Sequence, residues 1–160
     1  MLTHLDAQGR AQMVDVSAKA DTERVAIAKA HVVMQNATRA LIAQGGIAKG
    51  DVFAVARVAG IMAAKRTHEL IPLCHPLALT DVEIQFADLA APDDAHACLE
   101  ITGIAKNVGK TGVEMEALVA VSNAALTLYD MVKAVDRRVR IDNLRLVYKA
   151  GGKSGEWRFE

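Results

Sequence analysis

The sequence predicts an α+β domain of the ferredoxin-like type, with an antiparallel sheet and helices packed on one of its faces. Residues 79–88 and 96–105 are two neighbouring apolar segments that alternate well enough to form a β-hairpin. Helical patterns lie before and after this hairpin, and a hairpin between helices favours an antiparallel sheet. The predicted order is β-α-α-β-β-α-β, with room for one further strand.

The N-terminal segment is predicted to be polar, with one short strand. Residues 1–10 form a polar lead-in with a turn at Gln8-Gly9. Residues 11–17 contain enough apolar side chains for a strand and are short enough to lie at the edge of a sheet.

Two helices are predicted to follow. The first begins at Asp21 or Thr22 and ends at Gly45-Gly46. The residues of its apolar stripe are Val25, Ala26, Ala30, Val33, Met34, Leu41 and Ile42. The second helix begins at Asp51 as N-cap and ends at Lys65-Arg66, although its valine-rich start also fits a strand.

The second half begins with a non-helical stretch, because Pro72 and Pro76 exclude a regular helix from residues 67–77. After it come the two strands of the hairpin, joined by a turn at Ala91-Pro92-Asp93-Asp94.

The stretch Lys106–Arg137 opens with a Gly-rich turn and continues as one long helix. Residues 139–150 form a long strand, and the sequence GGKSG makes a turn into a short terminal strand. With no linker or repeat, residues 1–160 are expected to be a single domain.

Composition limits the classes of function. Nineteen basic and nineteen acidic residues cancel, so no global field draws in nucleic acid or an anionic membrane. Aromatic residues make up only 4% of the chain, which predicts a core of small aliphatic side chains. Cys74 and Cys98 form no CxxC pair, and the N-terminus has no apolar signal segment. We therefore expect a cytoplasmic protein that binds neither nucleic acid nor membrane.

The long helix has ionisable residues at both ends. Glu114 and Glu116 lie in its first turn, and Asp130 and Lys133 lie at its last turns. Asp130 and Lys133 are three residues apart, so they share a face and can form an acid/base pair, although a solvated surface ion pair gives the same pattern. Glu116 and Asp130 are separated by about 21 Å of helix axis. Either the two ends serve different purposes, or a neighbouring subunit completes each site.

Two motifs suggest ligands without matching a full signature. Gly109-Lys110-Thr111 matches the end of a phosphate-binding loop, but the first glycine of that motif should stand where the chain has Ile104. A Gly-rich turn before a helix can still bind an anion weakly. The four potential metal ligands of the second motif are His68, Glu69, Cys74 and His75. Pro72 breaks the spacing that would put two imidazoles on one helical face, and the alternative is a stiff loop with Cys74 as apolar filler.

Five blocks of sequence together resemble the molybdenum cofactor biosynthesis protein C family. The blocks are VDVSAK (14–19), KGDVFAVARVAGIMAAKRTHELIPLCHPL (49–77), GKTGVEMEAL (109–118), LYDMVKAVD (128–136) and AGGKSG (150–155). They cover nearly the whole chain in the family's order. The resemblance implies a ferredoxin-like cyclic pyranopterin monophosphate synthase, assembled as a homohexamer of three dimers with sites at subunit interfaces.

The resemblance also implies a reaction and a set of site residues. The substrate is 3′,8-cyclo-7,8-dihydroguanosine 5′-triphosphate, and the products are cyclic pyranopterin monophosphate and pyrophosphate, with no redox cofactor and no resident metal. By motif, Asp130 and its companion Lys133 are the catalytic residues. The substrate-binding residues are Leu73, Cys74, His75, Glu114, Met115 and Glu116. Three further residues correspond to the cations that hold the triphosphate, namely Lys49, Lys65 and Arg24.

Two other functions fit the residues alone. Small ferredoxin-like domains often act as non-catalytic, ligand-sensing modules that oligomerise. A metal-dependent hydrolase could instead use His68, Cys74 and His75 as ligands.

Overall fold

The computed structural model describes residues 5–6, 8–91, 93–153 and 155–160. The elements are β1 Thr22–Gln35, α1 Asn36–Ala43, α2 Val52–Ala64, α3 Thr67–Leu70, β2 Asp81–Leu89, β3 His96–Gly109, α4 Glu114–Val132, β4 Arg140–Ala150 and β5 Trp157–Arg158. The five strands form one antiparallel sheet in the order β2-β3-β1-β4-β5, and the helices α2 and α4 pack together against it.

The predicted fold class is confirmed. Strand β1 lies at the centre of the sheet, paired with β3 on one side and β4 on the other, and both pairings are antiparallel. Strands β2 and β3 form the predicted hairpin, and β5 adds two residues at the far edge. Helices on one face of an antiparallel sheet, with crossovers through α2 and α4, give the ferredoxin-like arrangement.

The predicted first helix is wrong over most of its length, because residues 22–35 form the central strand and helix is found only at Asn36–Ala43. Along β1 the side chains of Ala26, Ala28 and Ala30 are completely buried. These alanines recur at every second residue, as on one face of a strand, but alanine also favours helix, and Ala26 and Ala30 therefore also fitted a helical stripe. Apart from the additional turn α3, the order of element types agrees with the prediction, but the first strand lies at residues 22–35 instead of 11–17.

The predicted edge strand at residues 11–17 is also wrong. Ala11 forms one isolated bridge with Leu5, and no strand is found over the rest of this segment. The segment instead lies across one end of the domain, where the carbonyl oxygens of Val14 and Ser17 accept side-chain hydrogen bonds. The turn before it, at Gln8-Gly9, is confirmed.

The other predicted helices and strands are present with changed limits. Asp51 caps α2 by accepting a hydrogen bond from the Ala54 amide, and the helix ends before Lys65 as expected. One helical turn, α3, precedes Pro72 inside the stretch predicted to be non-helical. Strand β3 continues through Lys106 to Gly109, so α4 begins only at Glu114. The predicted turns at 91–94 and 151–155 contain Pro92 and Ser154, which lie outside the described residues.

Small side chains let α4 lie unusually close to the sheet and to α2. Gly103 on β3 faces α4, and a methyl group at this position would lie 2.5 Å from Val121 Cγ2. Gly60 on α2 crosses α4 so closely that a methyl group would lie 2.8 Å from the Ala120 carbonyl oxygen. The buried face of α4 is correspondingly rich in alanine. Its fully buried alanines are Ala117, Ala120, Ala124 and Ala125.

Helix α4 is also the one helix of the described residues that is long and apolar enough to cross a membrane. However, 56% of its most apolar window is buried inside the domain, as expected for a core helix. Its apolar character is therefore explained by packing against the sheet and α2.

We expect Gly103→Ala to lower the free energy of unfolding by about 1–3 kcal/mol, because the added methyl group overpacks the contact with α4. Chemical denaturation measures this change. The double variant Gly103→Ala/Val121→Ala removes the side chain that the methyl would strike, so its loss should be smaller than the sum of the two single losses. Strictly additive losses would show that this contact is not tight.

Candidate functional site

One cavity of about 590 Å³ lies at the end of the domain where α4 begins. That volume is in the range of small-molecule sites. Seven residues that the sequence selected line it together: Arg24, Leu73, Cys74, His75, Glu114, Met115 and Glu116. Segments 14–19, 73–77, 110–116 and 149–153 form its walls. The cavity thus gathers residues that are far apart along the chain.

Glu116 is the most deeply buried acid of this cavity, with 4% of its surface exposed. Burial, assisted by the neighbouring negative charge of Glu114, raises the pKa of its carboxyl from 4.5 to about 7. Near neutral pH the group therefore exists in both protonation states. It can donate a proton to a bound ligand or accept one from it.

The adjoining loop contributes Cys74 and His75. Burial, with the Glu116 charge, raises the pKa of the Cys74 thiol, so this side chain stays a neutral thiol. The Nε2 atom of His75 lies 2.9 Å from the Val14 carbonyl oxygen. Because a carbonyl can only accept, Nε2 carries a hydrogen, and in the neutral ring Nδ1 is left as an acceptor.

Glu114 is held on the cavity wall by an ion pair. Its Oε1 atom lies 2.7 Å from Lys149 Nζ at the end of β4. A side chain at position 112 would displace the Glu114 carboxylate from its present position, so Gly112 leaves room for this ion pair. The pair anchors the first turn of α4 to the end of β4.

Arg24 lines the same cavity, and its guanidinium donates to backbone carbonyls. The acceptors are Gly109 at 3.3 Å, Lys110 at 3.3 Å and Gly151 at 3.4 Å. Arg24 therefore links the loop before α4 with the loop after β4.

A second cluster lies at the other end of α4. Asp130 contacts two ammonium groups at 2.5 Å each, Lys133 through Oδ1 and Lys49 through Oδ2. Lys49 also donates to the Asp130 carbonyl oxygen at 2.8 Å. The hydrogen bonds from Lys133 and then Lys49 lower the pKa of Asp130 to about 2, and the carboxylate raises the pKa of Lys133. The three side chains are about half exposed, so the cluster is open to a ligand or partner.

The structure does not bring the two groups together within one chain. Lys49, Asp130 and Lys133 are absent from the described lining of the first cavity, and Lys65 lines a different, shallow cavity beside Asp81. The distance along α4 from Glu116 to Asp130 is about 21 Å. The expected separation of the two helix ends is therefore present in the fold.

The two motifs that suggested other ligands have different outcomes. Among the described residues, no group of three or more His, Cys, Asp or Glu side chains could hold a metal ion. This finding gives the metal-hydrolase interpretation no support. By contrast, Lys110 and Thr111 of the incomplete phosphate motif do line the cavity.

Sequence reasoning did not select four lysines that line this cavity: Lys19, Lys110, Lys149 and Lys153. Lys110 was visible in the incomplete phosphate motif, Lys19 in the block VDVSAK and Lys153 in the block AGGKSG. Lys149 carried no signal of its own, because a lone lysine at the end of an element is typical of a solvated surface.

Comparison with known proteins finds similar sequences over almost the full length of the chain. Residues 13–152 match the MoaC family. The chain belongs to the MoaC family. A relative from Chloroflexus aggregans is 61% identical over 99% of this chain and 94% of its own length. Relatives from Thermomicrobium roseum and Heliobacterium modesticaldum are 58% and 57% identical, over 99% and 98% of this chain and 93% and 96% of their own lengths. All three MoaC relatives are named cyclic pyranopterin monophosphate synthase.

We expect the proton of Glu116 to make stability depend on pH. The folded chain binds this proton more tightly than the unfolded chain, with a pKa of about 7 against 4.5. The stabilisation is therefore complete below about pH 4.5 and lost as the pH rises through 7, a change of about 3 kcal/mol. Glu116→Gln removes the titrating group.

Denaturation of wild type and Glu116→Gln across this pH range measures the effect. The difference in unfolding free energy between them should fall as the pH rises from 4.5 to 7. Glu83→Gln, at an exposed carboxylate on β2, controls for the change of an acid to an amide. A constant difference between wild type and Glu116→Gln would show that folding does not raise the pKa of the Glu116 carboxyl.

Proposed function

We propose that this chain is a cyclic pyranopterin monophosphate synthase, a lyase of molybdenum cofactor biosynthesis. It would convert 3′,8-cyclo-7,8-dihydroguanosine 5′-triphosphate to cyclic pyranopterin monophosphate and pyrophosphate. The observation that carries this proposal is the 61% identity over nearly all of a relative of that name. A cavity with a carboxyl that titrates near pH 7 and several cations supports it, because the reaction needs proton transfers and a polyphosphate leaving group.

The complete site is proposed to combine two chains. Asp130, Lys133 and Lys49 of one copy would face the Glu116 cavity of another. The separation of the two clusters by the length of α4 supports this arrangement, since one small substrate cannot reach both in one chain. We propose a homohexamer built as a trimer of dimers, and a cytoplasmic location consistent with two free cysteines. Lys65 is proposed to hold phosphate only where subunits meet.

The ionisation states of these side chains suggest which of them transfer protons and which bind the substrate. Asp130 has a pKa of about 2, so it is ionised and is a weak base in the free chain. Its carboxylate holds the ammonium groups of Lys133 and Lys49 side by side and raises the pKa of Lys133. Lys133 is proposed to donate a proton once the substrate has replaced this contact. Glu116, His75 Nδ1 and the Met115 side chain are proposed to bind the purine-derived rings. No redox cofactor and no resident metal are part of the proposal.

We expect Asp130→Ala, Asp130→Asn and Lys133→Ala to lower kcat by about 100-fold or more, with a much smaller change in KM, because each removes a proton-transfer group or its anchor. Pyrophosphate release from the cyclised GTP substrate measures turnover. Asp88→Asn is a matched control, since Asp88 pairs with Arg39 in an exposed ion pair outside both clusters. Near-normal turnover of the Asp130 and Lys133 variants would contradict the assignment.

We expect two inactive variants to restore activity when they are mixed. If each site combines two chains, refolding Asp130→Ala together with Glu116→Gln places both intact clusters in some sites. Random pairing in a two-fold dimer gives about a quarter of wild-type activity. Pyrophosphate release from the co-refolded mixture, against each variant refolded alone, is the measurement. No recovery in a mixture that forms the same oligomer as wild type would place each complete site within one chain.

A further inference from the structure

A second buried acid, Asp136, follows the C-terminal end of α4 and lies far from the cavity at the start of that helix. Only 2% of its surface is exposed, against 4% for Glu116. Burial alone would raise the pKa of its carboxyl, but hydrogen bonds from the amides of Gln35 and Arg138 outweigh burial and lower that pKa below its ordinary value. The side chain is therefore a buried carboxylate, and a buried charge is stable only when its oxygens are hydrogen-bonded.

The hydrogen bonds of Asp136 join two parts of the chain that are far apart in sequence. Its Oδ2 atom accepts from the Gln35 amide at 2.9 Å and from Thr38 Oγ1 at 3.1 Å, where β1 ends and α1 begins. Its Oδ1 atom accepts from the Arg138 amide at 3.0 Å, in the turn between α4 and β4. An amide side chain would present one donor in place of these two acceptors, so it could not form the whole set. The carboxylate thus ties the end of α4 to the start of α1.

The end of α4 that Asp136 ties down is the end that carries Asp130 and Lys133. The amides of Lys133 and Asp136 continue the helical hydrogen-bond pattern beyond the last residue of α4. They donate to the carbonyl oxygens of Tyr129 at 2.9 Å and Val132 at 3.0 Å. Asp130 therefore lies within about two helical turns of the tied residue.

The other tied element, α1, leads to Lys49. After α1 the chain buries Ile47 in the core and reaches Lys49 just before Asp51 caps α2. Lys49 Nζ then contacts both a carboxylate oxygen and the carbonyl oxygen of Asp130. The geometry of this contact depends on how the end of α4 is held relative to α1, and Asp136 bonds directly to both regions.

We propose that Asp136 is a positioning residue for the cluster of Lys49, Asp130 and Lys133, and that its carboxylate keeps Lys49 in contact with Asp130. The inference rests on the proposed function and adds to it a residue that acts only through others. Lys133 is three residues from Asp130 on the same helix, so that pair forms locally. Lys49 comes from another segment, so its contact is the one that Asp136 maintains.

Kinetics of Asp136→Asn, followed by pyrophosphate release from the cyclised GTP substrate, test this role. The variant should lower kcat by about 10-fold with little change in KM, because a misplaced acid/base group costs rate more than substrate binding. Thr38→Val removes one donor to the carboxylate and should lower kcat less, whereas Thr38→Ser keeps the hydroxyl and should keep kcat. Ile84→Val controls for a general loss of stability, since it lowers packing in the core beside Gly60 and Gly103 and should leave kcat unchanged.

A double-mutant cycle with Lys49→Ala shows through which contact Asp136 acts. The double variant Asp136→Asn/Lys49→Ala should have the same kcat as Lys49→Ala alone, because the contact is already lost in the single variant. Losses of kcat that multiply would overturn the inference, and so would an unchanged kcat in folded Asp136→Asn and Thr38→Val.

A crystal structure of the Asp136→Asn oligomer tests the same contact without turnover. The separation of Lys49 Nζ from Asp130 Oδ2 should exceed hydrogen-bond distance, about 3.5 Å, while Lys133 still pairs with Asp130. Thr38→Val, which keeps the carboxylate and its two amide donors, gives the same comparison if Asp136→Asn does not fold.

The two measurements separate this inference from the proposed function. If wild type turns over the substrate while Asp136→Asn keeps both kcat and the contact of Lys49 with Asp130, the proposed function stands and the positioning role fails. If wild type forms no product but the contact is lost in Asp136→Asn, the positioning role stands and the proposed reaction fails.

Discussion

The close packing of α4 against the sheet is the constraint on which the rest of the structure depends. Alanine on the buried face of the helix, Gly60 on α2 and Gly103 on β3 remove the side-chain bulk that would hold these layers apart. A helix held so closely has no freedom to slide or rotate. Its two ends are therefore fixed relative to the loops that contribute His75 at one end and Lys49 at the other.

The small side chains at these packed contacts also explain which helices and strands the sequence predicted correctly and which it did not. The hairpin, α2, α4 and β4 were predicted because a local pattern favoured the correct element type: alternation, capping by Asp51, or a long segment without glycine and proline. Strand β1 was not predicted correctly. A central strand that packs under a helix needs small residues, and alanine, the small residue used here, is the strongest helix former. Tertiary packing, which no local pattern encodes, overrides that propensity.

The residues of the cavity were likewise predicted only in part from the sequence. Groups with an unusual local context, such as His75 between Cys74 and Pro76, could be selected from the sequence, and seven selected residues line one cavity. The convergence of the lysines of that cavity could not be recognised, since they lie in separate segments of the sequence and only the fold brings them together. The elevated pKa of Glu116 was equally invisible, because it arises from burial in three dimensions.

The length of α4 sets both the distance between its two ends and the rotation of one end relative to the other. Each residue of an α-helix advances the chain by 1.5 Å and turns it by about 100°. Inserting one residue in the middle of α4 would therefore leave both ends chemically intact but rotate the Asp130 carboxylate away from Lys49. We therefore expect insertions and deletions within α4 to be tolerated far less than substitutions on its exposed face outside the two clusters.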